Sequence, residues 1–476
     1  MSRVVALQHT YLMPTPAPTQ TIAIIGAGAS GTLLTVQLLR QARSPFRVLL
    51  IERTGDIGRG VAYSTRCADH LLTVPAGRMG AFPEDPGHFL RWVEARLGQT
   101  GFPAVVTAQD YLPRSLFGDY LRDVLATARA AAPAGVEVVE EKAEIVDIEN
   151  AHDAASLMAS DGRVFLAQRV VLAIGNLPGE YPIPRPLPVY QSPRYVHIPW
   201  RGDALAGIDR DEAVLLVGQG ALATDLIVQL EQRGHRGTIH AISRHGIRPQ
   251  AHRLVAPYRS FLADEAAPTT LRALVRRVRA EVRDAAARGV DWRAVIDGLR
   301  YYSQAIWQSL SWDDRARFMR FVRPIWEAHR HRIAPQTAAV VERLAATGQL
   351  KFYAGRLQVL EADANGVHAL LRRRGTIQHM ALQVAKVINC TGSRTDYSKY
   401  QHPLFIHLLA RGLIDHDPLA LGINALPTGE VLRYRGEPQN WLFTLGAPMK
   451  SVLWETTAIA EIRVQAAALA KRLLAN

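Results

Sequence analysis

The sequence predicts an α/β protein built from two parallel-sheet domains, one inserted in the other. Three observations carry this expectation. Two stretches, one near the start and one near the middle, each read as strand, glycine-rich turn, helix and second strand. Their strands are short unbroken apolar runs, the pattern of a sheet covered on both faces. Two further segments end an apolar strand on a small residue and glycine, VVLAIG (170–175) and VINCTG (387–392). One precedes the second stretch and the other follows it, which suits two crossings between a host domain and an insert.

Bulk properties agree. A chain of 476 residues suits two or three domains, and 48% hydrophobic with 21% charged residues is ordinary for a globular protein. No run of eighteen apolar residues marks a membrane span. Residues 1–20 hold Pro14, Pro16 and Pro18 without a signal-peptide core, so a disordered leader and a cytoplasmic location are expected. Cys67 and Cys390 form no CxxC pair and no zinc spacing, and read as small buried hydrophobes. A net charge of +13 fits attraction of small anions. The arginines are spread along helices rather than gathered into a stripe, so nucleic-acid binding is not expected.

The elements follow in order. Thr21–Ile25 is a strand, a helical pattern runs through Leu33, Leu34, Val36, Leu38 and Leu39, and Arg47–Ile51 is the next strand. Strands are expected within 137–150 and 163–174, and the Pro-rich segment 176–201 reads as a crossing. Ala213–Val217, Leu222–Gln232 and Thr238–Ile242 repeat strand, helix, strand. Leu271, Leu274, Val275, Val278 and Val282 fall at helical spacing after a candidate N-cap at Thr269 or Thr270. We therefore expect a helical insertion over 255–335, with Trp292, Trp307, Trp312 and Trp326 mostly in its core. Strands return at 351–361, 383–389 and 441–445, and a helix runs from about Thr456. The expected plan is a leader (1–20), a host domain (21–200 and 386–476) and an insert (201–385).

The chemistry lies in the turns. Gly26, Gly28 and Gly31 have the spacing of a dinucleotide fingerprint between a strand and a helix. The first glycine permits a tight turn, the second lets the backbone approach a pyrophosphate, and the third lets helix and strand pack closely. Free N–H groups of the helix start, at Ala29 and Ser30, favour the phosphates. Glu52 ends the next strand, where a carboxylate can accept hydrogen bonds from a ribose. The second fingerprint is Gly218, Gly220 and Ala223. Its following strand ends in Arg244 rather than an acid, which suits a 2′-phosphate and predicts NADPH rather than NADH. Two Rossmann-like dinucleotide-binding domains are thus the expected fold. His329 and His331 are two apart on a helical stretch and no carboxylate or Cys completes a set, so no metal site is expected. The segment Arg320–Arg332 admits two readings, an anion-binding patch or a surface of local ion pairs.

These motifs resemble the two-dinucleotide-binding-domain flavoproteins. More narrowly, the chain is similar to the bacterial FAD/NAD(P)-binding family with YdhS-like members and HpyO/CreE-type FAD domains. The resemblance spans most of 21–465 and is carried by GAGASG (26–31), GVAYS (60–64), HLLTVPAGRMGAFPEDPGHFLRW (70–92), GQGALATDL (218–226), PIWEAHRHRIAP (324–335) and LWETTAIAEIR (453–463). It implies FAD on Gly26, Gly28, Ser30, Gly31 and Glu52, with Ala29 a further cofactor-binding candidate. It places the loop Thr73–Gly80, with Thr73 and Val74, at the flavin ring, capped by the closing stretch that contains Gly446 and Thr456. Thr73 stands where relatives often have Asn. Arg53, Gly60, Gly175, Thr391 and Gly392 are further cofactor-binding candidates, and Arg248, Arg330 and Arg332 are candidates for an anionic substrate. No catalytic side chain is assigned.

The resemblance and the missing dithiol imply a monooxygenase. NADPH would reduce FAD, and a flavin hydroperoxide would pass one oxygen from O2 to a small polar nitrogen compound. Urate hydroxylation is the leading expectation, and amine or amino-acid N-hydroxylation the alternative. An FAD- and NADPH-binding redox sensor is a rival, and a disulfide reductase is disfavoured. Oxygen transfer needs a dry pocket, for which the helices of 255–335 could serve as a lid.

Overall fold

The computed structural model describes residues 20–151 and 153–475. The leader expected at 1–20 lies outside these residues up to position 19. In chain order the strands are β1 (Thr21–Ile25), β2 (Phe46–Ile51), β3 (Val136–Glu141), β4 (Ile145–Ala151), β5 (Ala154–Ala159), β6 (Val164–Ala167), β7 (Arg169–Leu172), β8 (Tyr195–Val196), β9 (Val214–Val217), β10 (Ile239–Ser243), β11 (Leu350–Asp363), β12 (Gly366–Arg373), β13 (His379–Val384), β14 (Lys386–Asn389), β15 (Glu430–Leu432) and β16 (Pro438–Thr444). One sheet has the order β15-β16-β7-β1-β2-β3, a second β13-β12-β11-β10-β9-β14-β8, and β4-β5-β6 form a small antiparallel meander.

The first sheet draws strands from both sides of the second, so the second is inserted in it. Both are parallel at their centres, where the glycine-rich turns follow β1 and β9. The β1 and β2 runs are buried throughout apart from Arg47. Helix Ala29–Gln41 lies between helices Arg114–Ala130 and Ile459–Leu474 and packs Leu33, Leu34 and Leu38 against Ile22, Ile24 and Leu50. Each such fully buried side chain stabilises the fold by about 1.5–3 kcal/mol before entropy is counted.

The crossings sit elsewhere than the sequence suggested. Strand β8 precedes residue 201 and β14 follows residue 385, yet both belong to the second sheet. The reason is that β14 is itself an apolar strand, buried at Val387, Ile388 and Asn389 and paired to β9. β14 is an interior strand between β9 and β8, so the crossing back to the host begins only after it.

The helical insertion comprises Leu271–Ala287, Trp292–Leu299, Ser303–Ser309, Trp312–Arg317 and Arg323–Arg330, with a π-helical turn over Phe318–Val322. Thr270 caps the first helix, its hydroxyl accepting the Ala273 N–H at 3.3 Å. The insertion packs on the host domain: Leu271, Trp307, Leu310 and Phe318 form one cluster with Leu421 and Trp454. Of its tryptophans, Trp307 is core, its indole donating to Ser451 O at 2.7 Å. Trp292 and Trp326 are partly buried, whereas Trp312 is 57% exposed, against expectation. Trp312 opens its helix after the Ser311 cap and faces outward there. Among the described residues no helix is long and apolar enough to cross a membrane.

Candidate functional site: two nucleotide cradles and the interface between them

The first turn is closed on every side by backbone. Gly26 has φ +100°, and a β-carbon there would lie 2.4 Å from Ala173 O. A β-carbon on Gly31 would lie 2.0 Å from Gly26 O. Gly28 and Gly60 face each other so closely that a β-carbon on Gly28 would come within 3.3 Å of Gly60 Cα. The helix that starts at Ala29 has no side-chain cap and no acid in its first turn, which leaves its positive end available to an anion. Glu52 reaches back to this turn: its Oε2 accepts the Ala27 N–H at 3.0 Å, and its Oε1 accepts from the Thr54 N–H at 3.2 Å and hydroxyl at 3.0 Å. Arg53 stays on the surface, 3.9 Å from Glu144. This cradle fits the pyrophosphate and ribose of FAD.

The closing segment completes the first cradle. A β-carbon on Gly446 would lie 2.7 Å from Ser30 Oγ, so the loop rests directly on the fingerprint. The buried Thr456 hydroxyl donates to Gly446 O at 3.1 Å. Gln465 locks the pair, donating to Thr456 Oγ1 at 2.8 Å and accepting the Gly446 N–H at 3.1 Å. No motif in the sequence marks Gln465; it is an ordinary polar residue of the last helix until the fold brings it to Gly446.

The second turn is tight at one end and open at the other. Gly218 has φ +133°, and a β-carbon there would meet Cys390 O at 2.0 Å. Gly220 has no heavy atom within 4 Å of that position. Ala223 is fully buried, so the methyl in place of a third glycine is accommodated. Gln219 ties the turn to neighbouring strands, donating to Ala241 O at 2.8 Å and Tyr353 O at 3.0 Å and accepting the Ser243 hydroxyl at 2.9 Å. Arg244 is exposed at the end of β10, and Arg374 bonds the adjacent His245 ring. Burial and the charges of Arg374, Arg244 and Arg356 hold the His245 pKa below its ordinary value. Arg356 and Arg374 lie far along the sequence, on and just beyond β11 and β12, which is why sequence reading missed them. The two crossings stack together: a β-carbon on Gly179 would lie 2.4 Å from Gly392 O, and Thr391 hydrogen-bonds Asn389 at 2.8 Å. Gly175 turns with φ +63° in open space.

Between the cradles, helix Arg114–Ala130 of the host clamps the fingerprint helix of the insert. Arg114 donates to both oxygens of buried Asp225, at 2.7 and 3.2 Å. Burial pushes the Asp225 carboxyl upward even with Arg114 beside it. The loop that the resemblance places at the flavin meets the inserted domain just ahead of the helical insertion, through His252, whose Nε2 lies 2.8 Å from Thr73 O and therefore carries the proton. Burial, and then the charge of Arg332, push the His252 pKa down to about 4, so the ring is neutral at physiological pH. Tyr111 packs on it at 5.3 Å. Val74 packs on the host core. Of the three candidate substrate arginines, the structure brings Arg330 and Arg332 together in the interior but leaves Arg248 exposed, its guanidinium 4.4 Å above the Phe352 ring. Arg332 pairs with Asp297. Arg330 stands 3.8 Å from Glu455, whose other oxygen accepts the Trp326 indole N–H at 2.8 Å.

Two sheets parallel at their centres, each with a capless, glycine-led helix and one inserted in the other, define a two-dinucleotide-binding-domain fold. Residues 23–177 match the family described as FAD-NAD(P)-binding. No curated protein sequence matches the chain. Among solved structures it is similar to an L-lysine 6-monooxygenase from Pseudomonas syringae, with a TM-score of 0.61 and 15% identity over 96% of this chain and 99% of that one. It is similar to a Kutzneria ornithine N-hydroxylase in complex with reduced FAD, NADP+ and L-ornithine, with a TM-score of 0.60 and 14% identity over 96% and 99%. A third is the FAD-bound cadaverine monooxygenase DfoA from Erwinia amylovora, with a TM-score of 0.57 and 13% identity over 95% and 94%. At these identities the likeness establishes a shared fold.

Proposed function

We propose that the chain is an FAD-dependent, NADPH-consuming monooxygenase that hydroxylates the nitrogen of an amine. The observation that carries this reading is the junction of the two cradles. The loop of Thr73 meets His252 in the segment that leads into the helical insertion, where the His252 N–H donates to Ile333 O at 2.9 Å, and the insertion in turn rests on the segment that closes the first cradle. A site formed there is walled by protein on the side where oxygen chemistry must exclude water. The three proteins of shared fold named above act on amines, which supports N-hydroxylation over the urate hydroxylation suggested by the resemblance.

In this reading Gly26, Gly28, Gly31 and Glu52 hold FAD, with Gly446 and Thr456 closing over it. Gly218 and Gly220 receive the pyrophosphate of NADPH, and Arg244, Arg356 and Arg374 take its 2′-phosphate. Bound FAD supplies the hydride acceptance and oxygen activation that no side chain can. His252, neutral and held by Thr73 O, keeps the flavin loop against the insertion. A dithiol relay has no support: Cys390 is buried, and burial pushes its thiol upward, which makes it a poor nucleophile.

The test is aerobic NADPH consumption by the purified yellow protein across a panel of amines and amino acids, with products identified by mass. The expected product gains one oxygen on nitrogen. Full anaerobic turnover on an organic acceptor would overturn the oxygenase reading, and absence of any substrate-triggered NADPH oxidation would favour a redox sensor.

A further inference from the structure

Arg330 and Arg332 pose a problem that the proposed reaction does not solve. Their side chains are nearly enclosed, at 9% and 3% exposure for the residues. Among the described residues, Nε and Nη1 of Arg332 and Nε and Nη2 of Arg330 find no hydrogen-bond acceptor. Asp297 engages Arg332 only through Nη2, and the carboxylates of Glu455 and Glu461 stand off from Arg330 at 3.8 and 3.7 Å, outside hydrogen-bond reach. A guanidinium cannot shed its charge, and leaving charged donors buried and unmet is among the costliest local arrangements a fold can hold. Such an arrangement is stable when an anion completes it, and a planar fork of N–H groups matches the two oxygens of a carboxylate.

The position favours a substrate group. His252 lies close enough to Arg332 and Arg330 for both to act on its charge, and it bonds directly to Thr73 O. Tyr111, packed on His252, also feels the charge of Arg332. An anion held by these arginines would therefore sit on the insertion side of the loop that the resemblance assigns to the flavin.

We propose that Arg330 and Arg332 form a buried carboxylate subsite, so that the amine oxidised here is borne by an amino acid rather than by a simple amine or diamine. The substrate class rests on the N-hydroxylase reading, but the subsite is tested by binding alone. Oxidised holoenzyme is titrated with acetate, acetamide, the common L-amino acids and the amines formed from them by decarboxylation, and the flavin absorbance spectrum is followed. Acetate and at least one amino acid are expected to perturb the spectrum, with the amino acid binding at least about tenfold more tightly than its decarboxylated partner. Arg332→Gln should remove that preference with FAD content unchanged, Arg332→Lys should retain part of it, and Arg248→Gln should leave it intact. Equal binding of amino acid and amine, or no response to acetate and every amino acid, overturns the subsite. A folded, FAD-loaded Arg332→Gln protein that keeps the preference overturns it too. If that variant fails to fold, the wild-type contrasts of acetate with acetamide and of amino acid with amine decide the matter alone. If amino acids bind with this preference but no member of the panel triggers NADPH oxidation, the enzyme reading falls and the subsite stands.

Discussion

The two glycine fingerprints have the same spacing and nearly opposite surroundings. In the first, every glycine is pressed by backbone: Gly26 by Ala173, Gly28 by Gly60, and Gly31 by Gly26 itself. In the second, Gly218 is pressed by Cys390 while Gly220 faces open space. The first is then sealed by Glu52 from the neighbouring strand and by Gly446, Thr456 and Gln465 from the far end of the chain. The second is held by one buried amide, Gln219, and edged by arginines. A fingerprint thus reports a local turn, and what surrounds it decides whether the turn is a permanent socket or an open dock. A socket suits a cofactor that stays bound, and a dock suits one that comes and goes.

The largest expected effect on flavin binding comes from breaking the socket. Gly31→Ala sets a methyl carbon 2.0 Å from Gly26 O, where no flexible group can yield. Overpacking of this kind costs about 1–3 kcal/mol or more, and the purified protein should lose at least about tenfold in FAD affinity, read as flavin content after gel filtration. The largest expected effect on stability belongs to the clamp that joins socket and dock. Arg114→Ala leaves the buried Asp225 carboxylate without its two donors, and unfolding in denaturant should show a loss of about 3–5 kcal/mol, partly recovered by adding Asp225→Leu. The dock edge is weaker. Arg244→Gln should raise the Kd for NADPH about tenfold while leaving NADH unchanged, since only the former carries the 2′-phosphate. The smallest effect is predicted at Gly220. With φ −85° and nothing within 4 Å, Gly220→Ala should leave Tm and flavin content unmoved and weaken both nicotinamide nucleotides by about threefold, because the methyl intrudes only on the arriving phosphates. A large loss of Tm in this variant would erase the distinction between socket and dock.

Local sequence was enough to specify both turns, the strands and helices that flank them, the insertion of one sheet in the other, and the placement of Glu52 and Arg244. All of these follow from rules that act over a few to a few tens of residues: apolar period, glycine at positive φ, and the residue that ends the next strand. That β8 and β14 belong to the inserted sheet emerged from the assembled fold, because short buried apolar runs look alike in either domain. The same assembly paired Arg114 with Asp225, Gln465 with Gly446 and His252 with Thr73, contacts between residues more than one element apart. It also split the candidate arginines, burying Arg330 and Arg332 together while Arg248 remained at the surface. Burial and pairing of charge depend on what the rest of the chain folds against, and no local pattern encodes that.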